Sequence, residues 1–175
     1  MKKSIFDIKT ESEYLANKDK VDINEVSQDQ NDGFVYGYNA LWYADENKSK
    51  WLIKHGIDVN HRNCAGENVL FANNTVEKVK LLLKAGVNVQ ELDYEGNNPL
   101  YSFRNREVSV ARLLIEAGMS IEPYKDKESF PDEMMSKEIV ASIDEKILKD
   151  SMMREKEVLS EAIHKLDSMR SKKRL

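Results

Sequence analysis

Cysteine is almost absent from this sequence, and long apolar runs are absent altogether. The single Cys64 excludes an internal disulfide framework and any zinc site that needs several cysteines. No run approaches about 18 consecutive apolar residues, so the sequence predicts no transmembrane helix. The start, residues 1–9, breaks off before the apolar core of a signal peptide can form. We therefore expect a cytoplasmic protein.

Glycine and proline are also scarce, with seven and three residues respectively in a chain of 175. This composition argues against a collagen-like or linker-dominated architecture. Apolar residues make up 41% of the chain and charged residues 33%, so we expect one domain, or one domain with an appendage, whose surface is densely charged. The net charge of −4 removes the strongest electrostatic argument for non-specific binding to nucleic acid.

Two separated glycine positions recur about every 30 residues. The leading glycines are Gly37, Gly66 and Gly96, and the trailing glycines are Gly56, Gly86 and Gly118. Each trailing glycine follows a leucine- or isoleucine-rich stretch with helical spacing, which predicts a helix that ends at that glycine. A short alternating stretch such as residues 57–60 comes next, and alternation is typical of an extended chain.

After each extended stretch the sequence predicts a tight turn, which we call a finger, and then a second, short helix. In the third finger Asp93 can bond to the backbone ahead of it, and Gly96 supplies a positive φ. Asn68 and Asn98 are acceptable N-caps for the short helix, and Pro99 suits its first turn.

An upstream segment, residues 21–24, echoes the extended stretches. Before it, residues 11–17 are predicted to form a single short helix that contains Tyr14 and Leu15. The first finger is longer than the others and rich in Asp, Asn and Gln. We interpret residues 1–36 as an N-terminal cap with an extended first finger, because a stacked array leaves an apolar end that must be covered.

This unit of turn, helix and helix resembles the ankyrin repeat. The turn-plus-TPLHxA pattern of that family corresponds to residues 39–44, 68–73 and 98–103, and its LLLxxGADVN pattern to residues 51–60, 81–90 and 113–122. The resemblance implies an all-α fold, an ankyrin-repeat solenoid of helix-turn-helix units with β-turn fingers, whose three repeats cover residues 37–127.

The sequence departs from the ankyrin pattern in two respects. The histidine of the family is replaced by Trp42, Phe71 and Tyr101, which we expect to pack between repeats. The interval between the two motifs is also shorter than in the usual unit of about 33 residues. Helices or their connection must therefore be trimmed.

Residues 128–175 follow a different pattern. No glycine or proline occurs between Asp132 and Leu175, and apolar residues recur at helical intervals. This predicts a long C-terminal helical extension, either one helix or two helices broken near Asp150 and Ser151. Its apolar stripe needs a partner. We expect it to pack on the last repeat, and the alternative is association with other copies of the chain.

No pattern in the sequence supports catalysis, a cofactor or a metal site. His55, His61 and Cys64 are close in sequence but lack a recognised zinc spacing, so we expect surface or inter-repeat contacts from the histidines. The resemblance places Cys64 at a freely varying turn position, which implies an inert thiol. No glycine-rich phosphate loop is present, and no carboxylate lies within an apolar run that would raise its pKa.

Partner-facing residues, by the resemblance, lie on the fingers and at the end of the first helix of each repeat. The predicted binding residues are Phe34, Tyr36, Tyr38, Asp45, Glu46, Glu67, Asn74, Tyr94, Glu95, Asn97, Arg104 and Asn105. Phe34, Tyr36 and Tyr38 alternate, so an extended strand directs all three to one side. They are either interface anchors or a cover for the N-terminal cap.

A non-enzymatic protein-binding module is the function that these patterns favour. Compact, acidic ankyrin-repeat proteins resemble immunity, antitoxin or inhibitor proteins that bind and block a cognate toxin or enzyme. We therefore expect a monomer whose partner is a basic toxin or enzyme, with neither nucleic acid nor membrane as a target. The alternatives are an adaptor or secreted effector that binds a host protein, and a structural homo-oligomer built on the C-terminal helix.

Overall fold

The computed structural model describes residues 3–28, 30–31, 34–100, 108–121 and 137–172. It is mostly helical, which confirms the all-α class, and it divides into two compact units at residues 1–135 and 136–175. The helices of the first unit are α1 (Glu11–Asn17), α2 (Glu46–Lys54), α3 (Val76–Lys84) and α4 (Val108–Glu116). The second unit contains one helix, α5 (Lys137–Lys172).

Short elements connect the helices of the first unit. Within the described residues, single-turn 3-10 helices cover Ile5–Asp7, Lys18–Lys20, Ala40–Trp42 and Val69–Phe71. In the first finger, strands β1 (Gln30–Asn31) and β2 (Phe34–Val35) form an antiparallel hairpin in which Gln30 faces Val35 and Asn31 faces Phe34. The predicted short second helix is a single 3-10 turn after Asn39 and again after Asn68.

Three leucines at equivalent helix positions form the centre of the first unit. Helix α3 packs against both α2 and α4. Leu52, Leu82 and Leu114, one from each of these helices, are all 0% exposed. The recurring Leu/Ile-rich motif therefore places its central leucine at the helix-to-helix contact, as its spacing predicts.

The ends of these helices follow the local rules that the sequence predicts. The side chains of Thr10, Asp45 and Thr75 accept hydrogen bonds from the N–H three residues ahead and so cap α1, α2 and α3. Gly56, Gly86 and Gly118 follow α2, α3 and α4 with φ of 88°, 85° and 97°. These are left-handed conformations that glycine adopts without strain, so the predicted helix ends are confirmed.

Three buried asparagines at equivalent positions each connect the end of a finger to the turn that follows the next α-helix. The Nδ2 groups of Asn39, Asn68 and Asn98 donate to backbone carbonyls 19–22 residues ahead, at 2.8–2.9 Å. Their Oδ1 atoms accept from the N–H two residues ahead. All three are at most 2% exposed. Each amide therefore satisfies two buried backbone groups, and the predicted cap at Asn68 is confirmed. The helix predicted after Asn98 extends into residues 101–107, which lie outside the described residues.

Three further amide side chains connect successive turns of the first unit. The side-chain oxygens of Asn24, Asn60 and Gln90 accept from backbone N–H groups 28–34 residues ahead, at 2.8, 2.7 and 3.1 Å. Within its own turn, Asp22 accepts from the Asn24 N–H as Asp58 accepts from the Asn60 N–H. The segment at residues 21–24 therefore has the same geometry as the later turns, which confirms the predicted echo.

The N-terminal segment packs on helix α2. Helix α1 covers the predicted residues 11–17, and its Tyr14 is 3% exposed and stacks on Trp51 with ring centroids 5.4 Å apart. Glu11 accepts from Lys54 and from His55, both at 2.8 Å. These two hydrogen bonds lower the pKa of Glu11 below its usual value.

The second unit shows whether the C-terminal extension is one helix or two, which the sequence leaves open. Helix α5 continues without a break from Lys137 to Lys172, through Asp150 and Ser151. An ion pair of 3.1 Å between Lys146 and Asp150 links successive turns just before this point. The predicted start of the extension, residues 128–136, lies outside the described residues. Nowhere in the described ranges is a helix both long and apolar enough to cross a membrane.

Candidate partner-binding surface

The three fingers of the first unit are linked side by side through their backbones. We define them as residues 26–39, 61–67 and 91–97. The N–H of Cys64 donates to the Tyr36 carbonyl, and the N–H of Tyr94 donates to the Ala65 carbonyl, both at 2.9 Å. His61 Nε2 adds a bond of 2.6 Å to the Gly37 carbonyl. The positions of the finger residues relative to one another are therefore set by main-chain hydrogen bonds.

Each of the second and third fingers is closed by a side chain that accepts two backbone bonds. Asn63 Oδ1 accepts from the N–H groups of Ala65 and Glu67, both at 2.9 Å. Asp93 Oδ1 accepts from those of Glu95 and Asn97, at 2.9 and 2.8 Å. The role predicted for Asp93 is therefore confirmed, and both finger tips are locally rigid.

Three predicted binding residues also support these turns. The Glu67 carboxylate accepts from Asn63 Nδ2 at 2.7 Å. Asn97 Nδ2 donates to Asp93 at 3.1 Å and to Glu95 at 3.3 Å. Glu95 itself is exposed at the tip of the third finger. Its carboxylate is the most accessible acid of this set.

The first finger carries an aromatic cluster. The Tyr36 and Tyr38 rings stack with centroids 5.3 Å apart and planes within 5°, so the alternation directs both to one side as predicted. Tyr38 also contacts Trp42 at 4.4 Å and meets Tyr43 edge to face at 5.9 Å. Burial, with a smaller contribution from Glu67, raises the pKa of Tyr38 to about 12. The side chain of Phe34 lies outside the described residues.

Tyr94 of the third finger is 73% exposed, yet its ring is held in place. The guanidinium of Arg62 lies 5.2 Å from the centroid of this ring. Arg62 in turn donates to the carbonyls of Gly66 and Leu92, at 2.8 and 2.9 Å, and pairs with Glu91 at 3.1 Å. Tyr94 is thus an exposed aromatic side chain whose ring is held by its contact with Arg62.

Gly66 makes room for this arrangement. Its φ is +81°, and a Cβ there would lie 2.7 Å from Arg62 Nη2 and 2.9 Å from Tyr94 Cδ1. Only glycine combines this backbone conformation with so close an approach. Sequence analysis missed Arg62, because the equivalent position of the third finger holds Leu92 and no repeated charge marks the site.

The remaining predicted binding residues differ in their placement. Asp45 caps α2 by accepting from the Lys48 N–H at 2.7 Å, and Glu46 pairs with Lys50 at 2.6 Å. Arg104 and Asn105, like Tyr101, lie outside the described residues.

Asn74 is only 6% exposed, and its Nδ2 donates to the carbonyls of Val69 and Ala72, at 2.7 and 3.1 Å. Because its amide is directed inward to hold the local backbone, we remove Asn74 from the candidate surface. Phe71 is 4% exposed, as expected of a residue that packs inside the unit.

Behind the fingers lies a buried lysine that sequence analysis also missed. Lys78, the third residue of α3, is 4% exposed. Its ammonium donates to the carbonyls of Leu41 and Ala44, at 2.6 and 2.9 Å. Burial lowers the pKa of Lys78 to about 8, against the opposing effect of Asp45. The side chain thus ties α3 to the end of the 3-10 turn at Ala40–Trp42.

His55, His61 and Cys64, which are close in sequence, have different surroundings in the structure. His55 contacts Glu11, and His61 bonds the neighbouring finger, as the sequence predicts for surface and inter-repeat contacts. Cys64 is an exposed free thiol. Within the ranges that the structure describes, no group of three or more His, Cys, Asp or Glu side chains could hold a metal ion.

The chain matches no protein-family model and no curated protein. Function must therefore be inferred from the residues of this chain.

Proposed function

We propose that the first unit is an ankyrin-type repeat solenoid and that the chain is a non-enzymatic protein-binding module. The solenoid is supported by structural features that recur along the chain. The central leucines of α2, α3 and α4, the capping asparagines and the amides that join successive units all recur about every 30 residues, and each joins only neighbouring segments. The ankyrin-like motifs occupy these same positions.

The observation that carries the binding function is Tyr94, which is 73% exposed although its ring contacts Arg62 and its N–H is bonded to Ala65. Tyrosine and arginine are enriched among the residues that dominate binding energies at protein interfaces. Arg62, Gly66 and the bond from the Tyr94 N–H to Ala65 fix this ring before any partner arrives. A side chain that is already ordered loses little conformational entropy on binding.

Inhibition is the activity that we propose for this surface, as in an immunity or inhibitor-type protein that blocks a toxin or enzyme. The exposed Glu95 and the net charge of −4 would steer a basic partner toward the fingers. A rigid row of fingers needs no chemistry of its own to cover a partner's active surface. An adaptor or effector would use the same surface, and the identity of the partner distinguishes the two.

We expect the double variant Tyr36→Ala/Tyr94→Ala to fold normally and to bind the partner at least about thirtyfold more weakly, the loss typical of a hot-spot truncation. Tagged wild type and variant are used to capture partners from the native cells, with quantification by mass spectrometry. The recovered partner is then titrated by calorimetry. Leu15→Ala, which truncates a 54% exposed side chain on α1, is the matched control and should bind like wild type.

The outcomes separate the hypotheses. A toxin or enzyme whose activity falls on stoichiometric addition of the protein supports inhibition, whereas a non-catalytic partner favours the adaptor. Equal binding by the double variant and wild type contradicts the finger surface. Capture of no other protein contradicts the binding function itself.

A second candidate function, homo-oligomer formation, is favoured by the side chains of α5. Six large apolar residues of this helix are 54–66% exposed: Leu148, Met152, Met153, Val158, Leu159 and Ile163. Four of them, Leu148, Met152, Leu159 and Ile163, recur at intervals of four, seven and four residues and so share one face. A helix with such a stripe is stabilised in water mainly by packing that stripe against a partner.

For this candidate we expect wild type to have the mass of two or more chains by light scattering and Met152→Glu to have the mass of one. Met153→Glu is the matched control, since Met152 and Met153 are equally exposed at 54% but only Met152 lies on the shared face. A monomeric wild type, or dissociation of both variants alike, would contradict an oligomer built on this face.

A further inference from the structure

Next to the first finger, the first unit contains a cavity of about 540 Å³. It lies between the N-terminal segment and the start of the finger, and its walls include Phe6, Glu25, Ser27, Tyr43 and Lys48. Its volume is within the range of small-ligand pockets, about 300–1,000 Å³. None of the predicted binding residues lines it, and the proposed inhibitory surface does not require it.

Two aromatic rings form one wall of the cavity. Phe6 and Tyr43 meet edge to face, with centroids 5.8 Å apart and planes at 81°. Tyr43 is 54% exposed, so the wall remains accessible from solvent. The faces of such rings carry negative electrostatic potential and attract cations.

A carboxylate with spare accepting capacity lies in the same cavity. Glu25 Oε2 accepts from the Ile5 N–H at 3.0 Å, which fixes the side chain. Its other oxygen accepts no hydrogen bond from the residues that the structure describes. A carboxylate oxygen beside aromatic rings is a good acceptor for a guanidinium or an ammonium group.

Lys48 also lines the cavity, and it is engaged by the backbone. Its ammonium donates to the carbonyls of Ile5 and Phe6, at 3.1 and 3.5 Å. Burial lowers the pKa of Lys48, against the opposing effect of the carboxylates of Asp45, Asp7 and Glu13.

Glu25 and Lys48 are the charged residues that line the cavity within the described part of the chain. The Lys48 ammonium is already bound by two backbone carbonyls, whereas Glu25 keeps one oxygen that accepts no hydrogen bond from the described residues. This oxygen, next to the aromatic wall, favours a cationic ligand over an anionic one.

We propose that this cavity receives a basic side chain, an arginine or lysine, from the partner protein. The inference rests on the proposed protein-binding function and names the chemistry of one anchor. The aliphatic stem of the side chain would lie along Phe6 and Tyr43, and its charged end would reach the spare oxygen of Glu25. The cavity thus adds a specific anchor for a basic partner beside the exposed tyrosines.

The test uses the full-length protein and a capped amino acid as the probe. N-acetyl-arginine amide is titrated into ¹⁵N-labelled protein, and amide shifts are followed by NMR. We expect saturable shifts at Ile5, Val26 and Ser27. N-acetyl-citrulline amide, which has nearly the same shape but no charge, should bind about tenfold more weakly.

Glu25→Gln removes the charge but keeps an amide oxygen that can accept from the Ile5 N–H, so the cavity should remain formed. We expect about a tenfold loss of affinity for the arginine probe in this variant. The control is Glu77→Gln, which changes an exposed glutamate of α3 that does not line the cavity and should leave the affinity unchanged.

Several results would overturn the proposal. These are equal binding of the arginine and citrulline probes, absence of saturable shifts at the three amides, and full affinity in Glu25→Gln. Binding of free arginine but not of the capped form would identify a small-molecule site instead of a site for a partner's side chain.

The failure of this proposal can be told apart from failure of the proposed function. If Tyr36→Ala/Tyr94→Ala abolishes partner binding while the arginine probe gives no shifts, the function stands and the anchor is wrong. If the probe binds but no partner protein is captured, the assignment to a partner's side chain falls together with the function.

Discussion

Leu82→Ala is expected to lower the free energy of unfolding of the first unit by about 2–5 kcal/mol. Leu82 is 0% exposed and lies in α3, which packs against both α2 and α4. Its truncation removes apolar burial and leaves a cavity between three helices, and both effects destabilise. Urea unfolding followed by far-UV circular dichroism measures the change.

Leu15→Ala is the control for this truncation, since Leu15 is 54% exposed on α1. We expect its effect to stay within about 0.5 kcal/mol. In a solenoid, each repeat is stabilised by its interfaces with its neighbours, so the first unit should lose structure in one cooperative transition. An unchanged midpoint for Leu82→Ala would contradict the core assignment.

Lys78→Met is expected to destabilise the protein by about 2 kcal/mol at pH 7 and by more at higher pH. Methionine keeps an apolar stem of similar length but leaves the carbonyls of Leu41 and Ala44 without their donor. Each buried carbonyl left unsatisfied costs about 1–3 kcal/mol. Relief from burying a charge offsets part of this loss at pH 7.

The pH dependence follows from the lowered pKa of Lys78. The folded protein releases this proton at about pH 8, whereas the unfolded chain keeps it up to about the ordinary lysine value of 10.5. Between these values the unfolded state binds more protons, so the stability of wild type rises with pH. The rise is on the order of 3 kcal/mol, and it is absent below pH 8.

Tyr38 has the opposite effect at still higher pH. Its pKa is raised from 10.0 to about 12 in the folded protein, so the unfolded state loses the proton first and stability falls above about pH 10. This effect is common to wild type and Lys78→Met and cancels in their difference. The difference in unfolding free energy should therefore increase from pH 8 to about pH 10.5.

Lys80→Met is the matched control for this measurement. Lys80 is an exposed lysine of the same helix, so its replacement should change the unfolding free energy by no more than about 0.5 kcal/mol at any pH. Curves for wild type and Lys78→Met that stay parallel from pH 8 to pH 10.5 would contradict the buried, desolvated ammonium.

Local chemistry made much of the first unit predictable. The helix over residues 11–17, the helix ends at Gly56 and Gly86, and the turn closed by Asp93 were all inferred correctly from the sequence. Each depends on residues within a few positions of one another: a cap, a positive φ, or an Asp beside a free N–H. Signals of this kind can be recognised within one short segment of sequence.

Burial was the feature that sequence patterns did not reveal. Asn74 was predicted as a partner-binding residue, and no role was predicted for Lys78, yet both are at most 6% exposed. Lys78 meets carbonyls 34 and 37 residues before it in the chain. It lies four residues before the buried Leu82, on the buried face of α3, but nothing within α3 identifies these carbonyl partners.

Tyr94, the exposed aromatic residue of the third finger, was also predicted only in part. The sequence predicted Tyr94 as a binding residue but not its support, because Arg62 lies 32 positions away and Gly66 was recognised only as a turn residue. Their convergence depends on how one finger lies against the next.

The amino-acid pattern was thus sufficient to locate helix ends and turns in the first unit, because these follow from backbone preferences that act over a few residues. It could not show which polar groups are buried, which rings stack, or that α5 continues unbroken through Asp150. The burial of Lys78 depends on carbonyls 34 and 37 residues before it, and the stack of Tyr14 on Trp51 joins residues 37 positions apart, so the energies of these side chains are set by their neighbours in space.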